Sequence, residues 1–264
     1  MKIAVCGKGG TGKSTVVALL AAELRKSDME VVIVDSDDSN SGLHWMLGLD
    51  RSPNPLMDFV GGKKEIQDKM VSRFKEGQSE PKMSIMLQDT IIIEDIPGDY
   101  IIEGDHKRLI TIGKIQQSLE GCACPMGVLT RELLKKLKLE DNEIAIVDLE
   151  AGIEHFGRGI EDSIDAVIAV TEPSLESINM AEKIKELSSG TGAKFAGVVL
   201  NKVGSGSIYD KMKEKLAKRK LPLLGKISFN EGIVEACFKG QSLELVDTGD
   251  EARKIVEKLQ KNLL

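Results

Sequence analysis

The sequence predicts an α/β fold: a single three-layer domain, residues 1–264, whose mostly parallel, doubly wound sheet is flanked by helices. Three observations predict it. Short β-branched runs alternate with longer stretches of helical period, the pattern of successive βαβ units. Two of those runs, Val31-Val32-Ile33-Val34-Asp35 and Ile144-Ala145-Ile146-Val147-Asp148, are apolar up to a terminal aspartate, as strands buried on both faces are. A glycine-rich segment, Gly7 to Thr15, separates the first strand-like run from the first helix-like one.

Taken in order, the expected strands are Lys2–Cys6, Val31–Asp35, Ile91–Glu94, Leu109–Ile112, Ile144–Asp148, Ala166–Val170, Ala196–Leu200 and Leu223–Ile227. The expected helices are Lys13–Lys26, Leu43–Leu47, Lys64–Phe74, Val128–Leu137, Leu175–Leu187, Ile208–Lys218 and Glu251–Leu263. Residues 50–107 are less regular, with Pro53, Pro55, Gly61-Gly62, Pro81 and Pro97-Gly98, and read as an insertion-like region rather than a second domain. In an open α/β sheet the carboxyl ends of the strands line the ligand crevice. Asp35 and Asp148 are therefore expected beside the glycine-rich loop.

Composition narrows the function classes. Apolar residues make up 41% and charged residues 30%, enough for a sizeable core; aromatics are only 3%, so that core must be aliphatic. A net charge of −6 argues against a general grip on nucleic acid, which demands clustered Lys and Arg. No basic stretch followed by an apolar run opens the chain, and no apolar run of ~18 residues occurs, so a cytoplasmic protein without stable membrane association is expected. In a reducing compartment Cys6, Cys122, Cys124 and Cys237 are thiols or metal ligands rather than disulfides. Cys6 and Cys237 read as small buried apolar residues.

Gly7-Lys8-Gly9-Gly10-Thr11-Gly12-Lys13-Ser14-Thr15 satisfies the G-x-x-x-x-G-K-[ST] phosphate-loop pattern in its strand–loop–helix context. Glycines let backbone N–H groups turn inward, and the helix N-terminus adds partial positive charge. Lys13 is expected on the terminal phosphates and the Ser14 hydroxyl on Mg²⁺, which makes the chain a binder of a nucleoside triphosphate in a P-loop NTPase domain. Lys8 comes too early in the loop to curl back easily onto its own nucleotide, but it is placed to reach a phosphate held by a facing subunit. Asp148 ends an apolar strand and runs into Leu149-Glu150-Ala151-Gly152, the form of a Walker B strand and switch loop. Asp148 is expected in the Mg²⁺ shell and the Gly152 N–H at the γ-phosphate. Cys122-Ala123-Cys124 supplies two thiolates at a spacing that grips one soft metal but cannot complete a tetrahedral site. A two-fold axis would bring two pairs together as a Cys₄ site for Zn²⁺, Ni²⁺ or an iron–sulfur cluster.

The Lys8 phosphate loop resembles that of the dimerising ATPases with a deviant Walker A motif, among them the nitrogenase iron protein, MinD and ParA, and the CooC-type nickel-insertion ATPases. Several further elements resemble the CooC type. They are Val34-Asp35-Ser36-Asp37-Asp38-Ser39, Cys122-x-Cys124, Asp148-Leu149-Glu150-Ala151-Gly152-Ile153-Glu154-His155, Val170-Thr171-Glu172-Pro173-Ser174, Asn201-Lys202-Val203 and Phe229-Asn230-Glu231. The resemblance implies a homodimer that closes on ATP and hydrolyses it to ADP, with Lys8 crossing to the partner's nucleotide. It implies that Asp37 orients the attacking water; the competing reading makes Asp37 part of a helix N-cap before Leu43. It also implies that Asn201 and Lys202 flank the adenine, with Asn230 a second candidate base contact. The metal at Cys122 and Cys124 would then be nickel bound for carbon monoxide dehydrogenase, or a related enzyme of acetyl-CoA synthesis. An electron carrier with a dimer-bridging [4Fe–4S] cluster is the alternative, and a MinD- or ParA-like positioning protein a third. His44, His106 and His155 read as packed or surface histidines.

Overall fold

Side-chain alternation along each strand decides where the core sits. Ile3 and Val5 of β1 (Lys2–Gly7) face one side of the sheet, and Ala4 and Cys6 face the other. The same alternation runs through β2 (Glu30–Ser36) and β5 (Glu143–Leu149), so the sheet carries a hydrophobic core on each face. Burying one aliphatic side chain stabilises by about 1.5–3 kcal/mol. Several buried residues in one strand therefore outweigh the ~1 kcal/mol at stake in intrinsic strand propensity.

The computed structural model describes residues 1–75, 88–115, 124–204 and 206–263. Its remaining strands are β3 (Ile102–Gly104), β4 (Lys107–Thr111), β6 (Ala166–Thr171), β7 (Lys194–Val203) and β8 (Leu223–Ser228). One sheet joins all eight in the order β3-β4-β2-β5-β1-β6-β7-β8, parallel except where β3 meets β4. The predicted single α/β domain with a mostly parallel, doubly wound sheet is the fold observed.

On one face lie α1 (Lys13–Arg25) and α9 (Glu251–Leu263); on the other lie α5 (Cys124–Lys136), α6 (Leu175–Thr191) and α7 (Ser207–Lys218). The shorter α2 (Leu43–Met46), α3 (Leu56–Phe59) and α8 (Glu231–Lys239) and the longer α4 (Gly62–Lys75) complete the helices of the described residues. Ala252, Ile255, Val256 and Leu259 of α9 are all buried. A Cβ on Gly225 of β8 would come 2.4 Å from Ile255 Cγ1, so glycine there admits the helix to the edge strand. The apolar stripe of α9 thus belongs to the core and is not presented to a membrane. Among the described residues, no helix is long and apolar enough to cross one.

Two expectations are corrected. Ile91–Glu94 is not a strand: Ile91 alone bridges to Leu137, and residues 93–95 form a 3₁₀ turn. The Asp95 carboxylate accepts the Ile92 N–H at 3.0 Å, a local bond that competes with pairing. Cys237 is exposed rather than buried, because α8 turns the preceding residue, Ala236, into the core and rotates Cys237 away from it; Cys6 is fully buried as expected. The chain also folds α3, a four-residue helix that its short pattern had concealed.

Candidate functional site

β1, β2 and β5 end side by side, and the parallel register makes Asp35 the direct neighbour of Asp148, with Val5 on the other side of Asp148. The glycine-rich loop leaves β1 at this edge. Gly10 and Gly12 adopt φ of +82° and +86°, left-handed values that favour glycine, and Gly12 hands the chain to α1. The Thr11 N–H and hydroxyl both donate to the Lys8 carbonyl, closing the turn. Lys13, the first residue of α1, is buried, and Ser14 follows in the same turn.

Ser14 Oγ donates to Asp148 Oδ2 at 2.5 Å and accepts from Asn40 Nδ2 at 2.7 Å. The other Asp148 oxygen, Oδ1, is buried without a hydrogen-bond partner. Burial, with the Asp35 carboxylate alongside, pushes the Asp148 carboxyl up to about 7. A buried carboxylate with an unused oxygen beside a serine hydroxyl is the donor set a hard divalent cation such as Mg²⁺ takes. These residues fit that ion.

Asp37 is buried, its Oδ2 4.0 Å from Lys13 Nζ. Its Oδ1 accepts from the N–H and hydroxyl of Ser39, a local turn. It does not cap α2, whose N-cap is Gly42, with no side-chain bond. Lys114 Nζ reaches Asp35 Oδ2 at 2.7 Å and the Asp37 carbonyl at 2.5 Å. Asp35 nonetheless titrates at about 6, because burial outweighs the lysine.

Asn201 and Lys202 reach the same loop from the end of β7. Asn201 Nδ2 donates to the Thr11 carbonyl at 2.8 Å, and Lys202 Nζ donates to the Gly10 carbonyl at 2.6 Å. Asn230 is committed elsewhere: its Oδ1 caps α8 by accepting from Gly232 and Ile233, and its amide donates to the Asp247 carbonyl. The Gly152 N–H donates to the Gly7 carbonyl at 3.1 Å, pinning the switch loop to the phosphate loop. Lys8 lies over its own chain, 2.9 Å from Glu176 Oε2 and 4.0 Å from Glu172, and these carboxylates raise its pKa.

Cys122 lies outside the described residues. Cys124 stands half-buried at the start of α5. The first turns of that helix pack against both loops of the site: Thr130 Oγ1 is 2.8 Å from Ser36 Oγ, and Met126 and Gly127 share a small crevice with Asp38 and Glu150. Among the described residues no group of three or more His, Cys, Asp or Glu is arranged to hold a metal. His155 is fully buried against the switch loop, its Nε2 3.2 Å from the Gly152 carbonyl, so it is a packed histidine. His44 is buried too, whereas its ring neighbour Trp45 is half-exposed.

The structure thus brings Lys13, Ser14, Asp37 and Asp148 to one point, with Asn201 and Lys202 behind the loop. Two residues there were missed from sequence. Neither Asn40 nor Lys114 was singled out. The signal for Lys114 was its position, three residues beyond the strand that ends beside Asp35.

The family described as the CobQ/CobB/MinD/ParA nucleotide binding domain matches residues 2–243. An uncharacterised ATP-binding protein of Methanocaldococcus jannaschii is 41% identical over 261 residues, covering 99% of this chain and 100% of the relative. The carbon monoxide dehydrogenase accessory protein CooC of Rhodospirillum rubrum is 32% identical over 249 residues, covering 92% and 89%. Among solved structures, the cell division ATPase MinD of Pyrococcus furiosus superposes with a TM-score of 0.70 at 20% identity, covering 99% of this chain and 98% of that one. That last likeness concerns the fold alone.

Proposed function

We propose that this chain, which belongs to the CobQ/CobB/MinD/ParA nucleotide-binding family of P-loop ATPases, is an ATP-driven metallochaperone of the CooC kind. It closes as a homodimer on ATP and carries a metal between Cys122 and Cys124 of the two subunits. Its cargo is nickel for carbon monoxide dehydrogenase. The observation that carries this reading is the packing of α5. The helix that begins at Cys124 touches the end of β2 through Ser36 and Thr130, and lies in one crevice with Asp38 and Glu150 of the loops that follow β2 and β5. Any movement of those loops with the nucleotide is felt at the thiolates. The identity with CooC across nine-tenths of the chain supports the same reading.

Each residue then has a role. Backbone N–H groups of residues 9–15 cradle the phosphates of ATP, and Lys13 neutralises charge on the terminal ones. Ser14 and Asp148 would hold Mg²⁺, which would supply charge compensation to the phosphates of the bound nucleotide. Asp37 orients the attacking water. Lys8 leaves Glu176 and meets the partner's nucleotide, and the Gly152 N–H exchanges the Gly7 carbonyl for the γ-phosphate. Asn201 and Lys202 support the base side of the loop. Asn230 is the weaker base contact, because its side chain already caps α8.

Anaerobic purification with metal analysis tests the proposal. One Ni²⁺ or Zn²⁺ per two chains is expected, lost in both Cys122→Ser and Cys124→Ser while each variant still binds ATP. Metal retained by both variants would sink the reading. A brown, redox-active dimer would instead favour an electron carrier with a [4Fe–4S] cluster on the same four thiolates.

A further inference from the structure

A pocket of about 310 Å³ opens beside the nucleotide site, between α3, the first turns of α4 and the start of α5. Met57, Asp58, Lys63, Lys64, Lys114 and Met126 line it. Lys63 is the unusual member. Its Nζ is buried and has no hydrogen-bond partner, and among the described residues it makes no ion pair, not even with Asp58 in the same wall. An ammonium withdrawn from water without a counter-ion is costly, and such groups are retained where a partner completes them. Lys114 cannot share Asp35 with it, being itself bound to that carboxylate and to the Asp37 carbonyl.

We propose that this pocket is a binding site for a carboxylate with a short apolar body. Charge selects a single negative charge over a phosphate dianion: Lys114 is already bound to Asp35, and the rest of the wall carries Lys63 and Lys64 against Asp58, with Lys63 the buried ammonium that no described residue pairs. Three donors on one ammonium suit a carboxylate, and the side chains of Met57 and Met126 give the hydrocarbon part an apolar wall. The bound group sits next to Lys114, which ties the pocket to the loop carrying Asp37. Occupancy is thereby coupled to the water-orienting side of the ATP site. The inference does not depend on the metal reading, since neither cysteine takes part.

Thermal unfolding of the full chain tests it, with saturating Mg-ADP to close the phosphate loop to other anions and NaCl to hold ionic strength constant. Butyrate should raise the wild-type Tm by about 3 °C or more at roughly ten times its Kd, and neutral butyramide should not. Lys63→Met should lose the response and, without ligand, melt above wild type because the unpaired charge is gone. Lys63→Gln gives the same comparison if the methionine variant does not fold. No shift with butyrate up to about 100 mM, an equal shift with butyramide, or an undiminished response in the variant would overturn the proposal. An amidated Leu-Glu peptide separates the sources of the carboxylate. Binding tighter than butyrate by about tenfold or more assigns the site to a protein side chain, and weaker binding assigns it to a free acid.

Discussion

Ser14 Oγ and Asp148 Oδ2 stand 2.5 Å apart, which ties the first turn of α1 to the end of β5 and leaves Asp148 Oδ1 buried and unpaired. A motif near the N-terminus and a strand end in mid-chain meet in one hydrogen bond. The chemistry of the site follows from what each does with its remaining valence.

Stability should fall with rising pH because of the two strand-end carboxyls. Burial pushes Asp148 up to about 7 and Asp35 up to about 6, from 3.8. Between about pH 4 and 7 the native state therefore binds more protons than the unfolded chain. Their contribution is complete below the unfolded pKa and is lost as pH rises through 6 and 7. Calorimetry from pH 5 to 8 should show a steeper loss of Tm in wild type than in Asp148→Asn, which has no proton to release there. Parallel slopes would refute the assignment.

Asp37→Ala should separate binding from turnover. The side chain sits 4.0 Å from Lys13 Nζ but bonds only to Ser39 beyond that. ATP hydrolysis should drop by about 10²–10⁴ while nucleotide affinity stays within about threefold. Light scattering should find more ATP-held dimer than in wild type. A large loss of affinity instead would make Asp37 a structural partner of Lys13.

Lys8→Ala should leave Tm unchanged, since its pairing with Glu176 is on the surface. ATP-dependent dimerisation and hydrolysis should both disappear while monomeric ATP binding persists. Glu176→Gln removes the carboxylate that holds Lys8 and should lower the ATP concentration needed for dimerisation. If Lys8→Ala dimerises normally, the lysine does not cross the interface.

Gly12→Ala should fail for two reasons at once. Its φ is +86°, and a Cβ would lie 2.3 Å from Asn201 Nδ2, the donor to the Thr11 carbonyl. Backbone strain and an unsatisfied buried amide together should cost about 1–3 kcal/mol and abolish nucleotide binding. Denaturant titration and equilibrium dialysis read the two effects. Wild-type affinity in this variant would show that the loop does not need its left-handed turn.

The sequence by itself determined the sheet and the identity of the loop. Apolar runs such as Val31–Asp35 and Ile144–Asp148 leave little choice but strands buried on both faces, and a full phosphate-loop motif carries its own backbone geometry. It also placed Asp35 and Asp148 beside that loop, because strand-end aspartates need only the general rule that ligands bind at the carboxyl edge, whereas Asp37 was singled out by the resemblance to the dimerising ATPases. Local patterns failed where tertiary contact decides. Ile91–Glu94 reads as a strand, yet only Ile91 finds a partner, and Cys237 reads as core, yet its helix turns it outward. Lys114, Asn40 and Lys63 are unremarkable letters in sequence. Lys114 becomes the counter-ion of Asp35, Asn40 a hydrogen-bond donor to Ser14, and Lys63 a buried ammonium without a partner among the described residues, only when distant segments meet. Charge pairing and burial depend on distance through space, and one-dimensional spacing does not encode that distance between different elements.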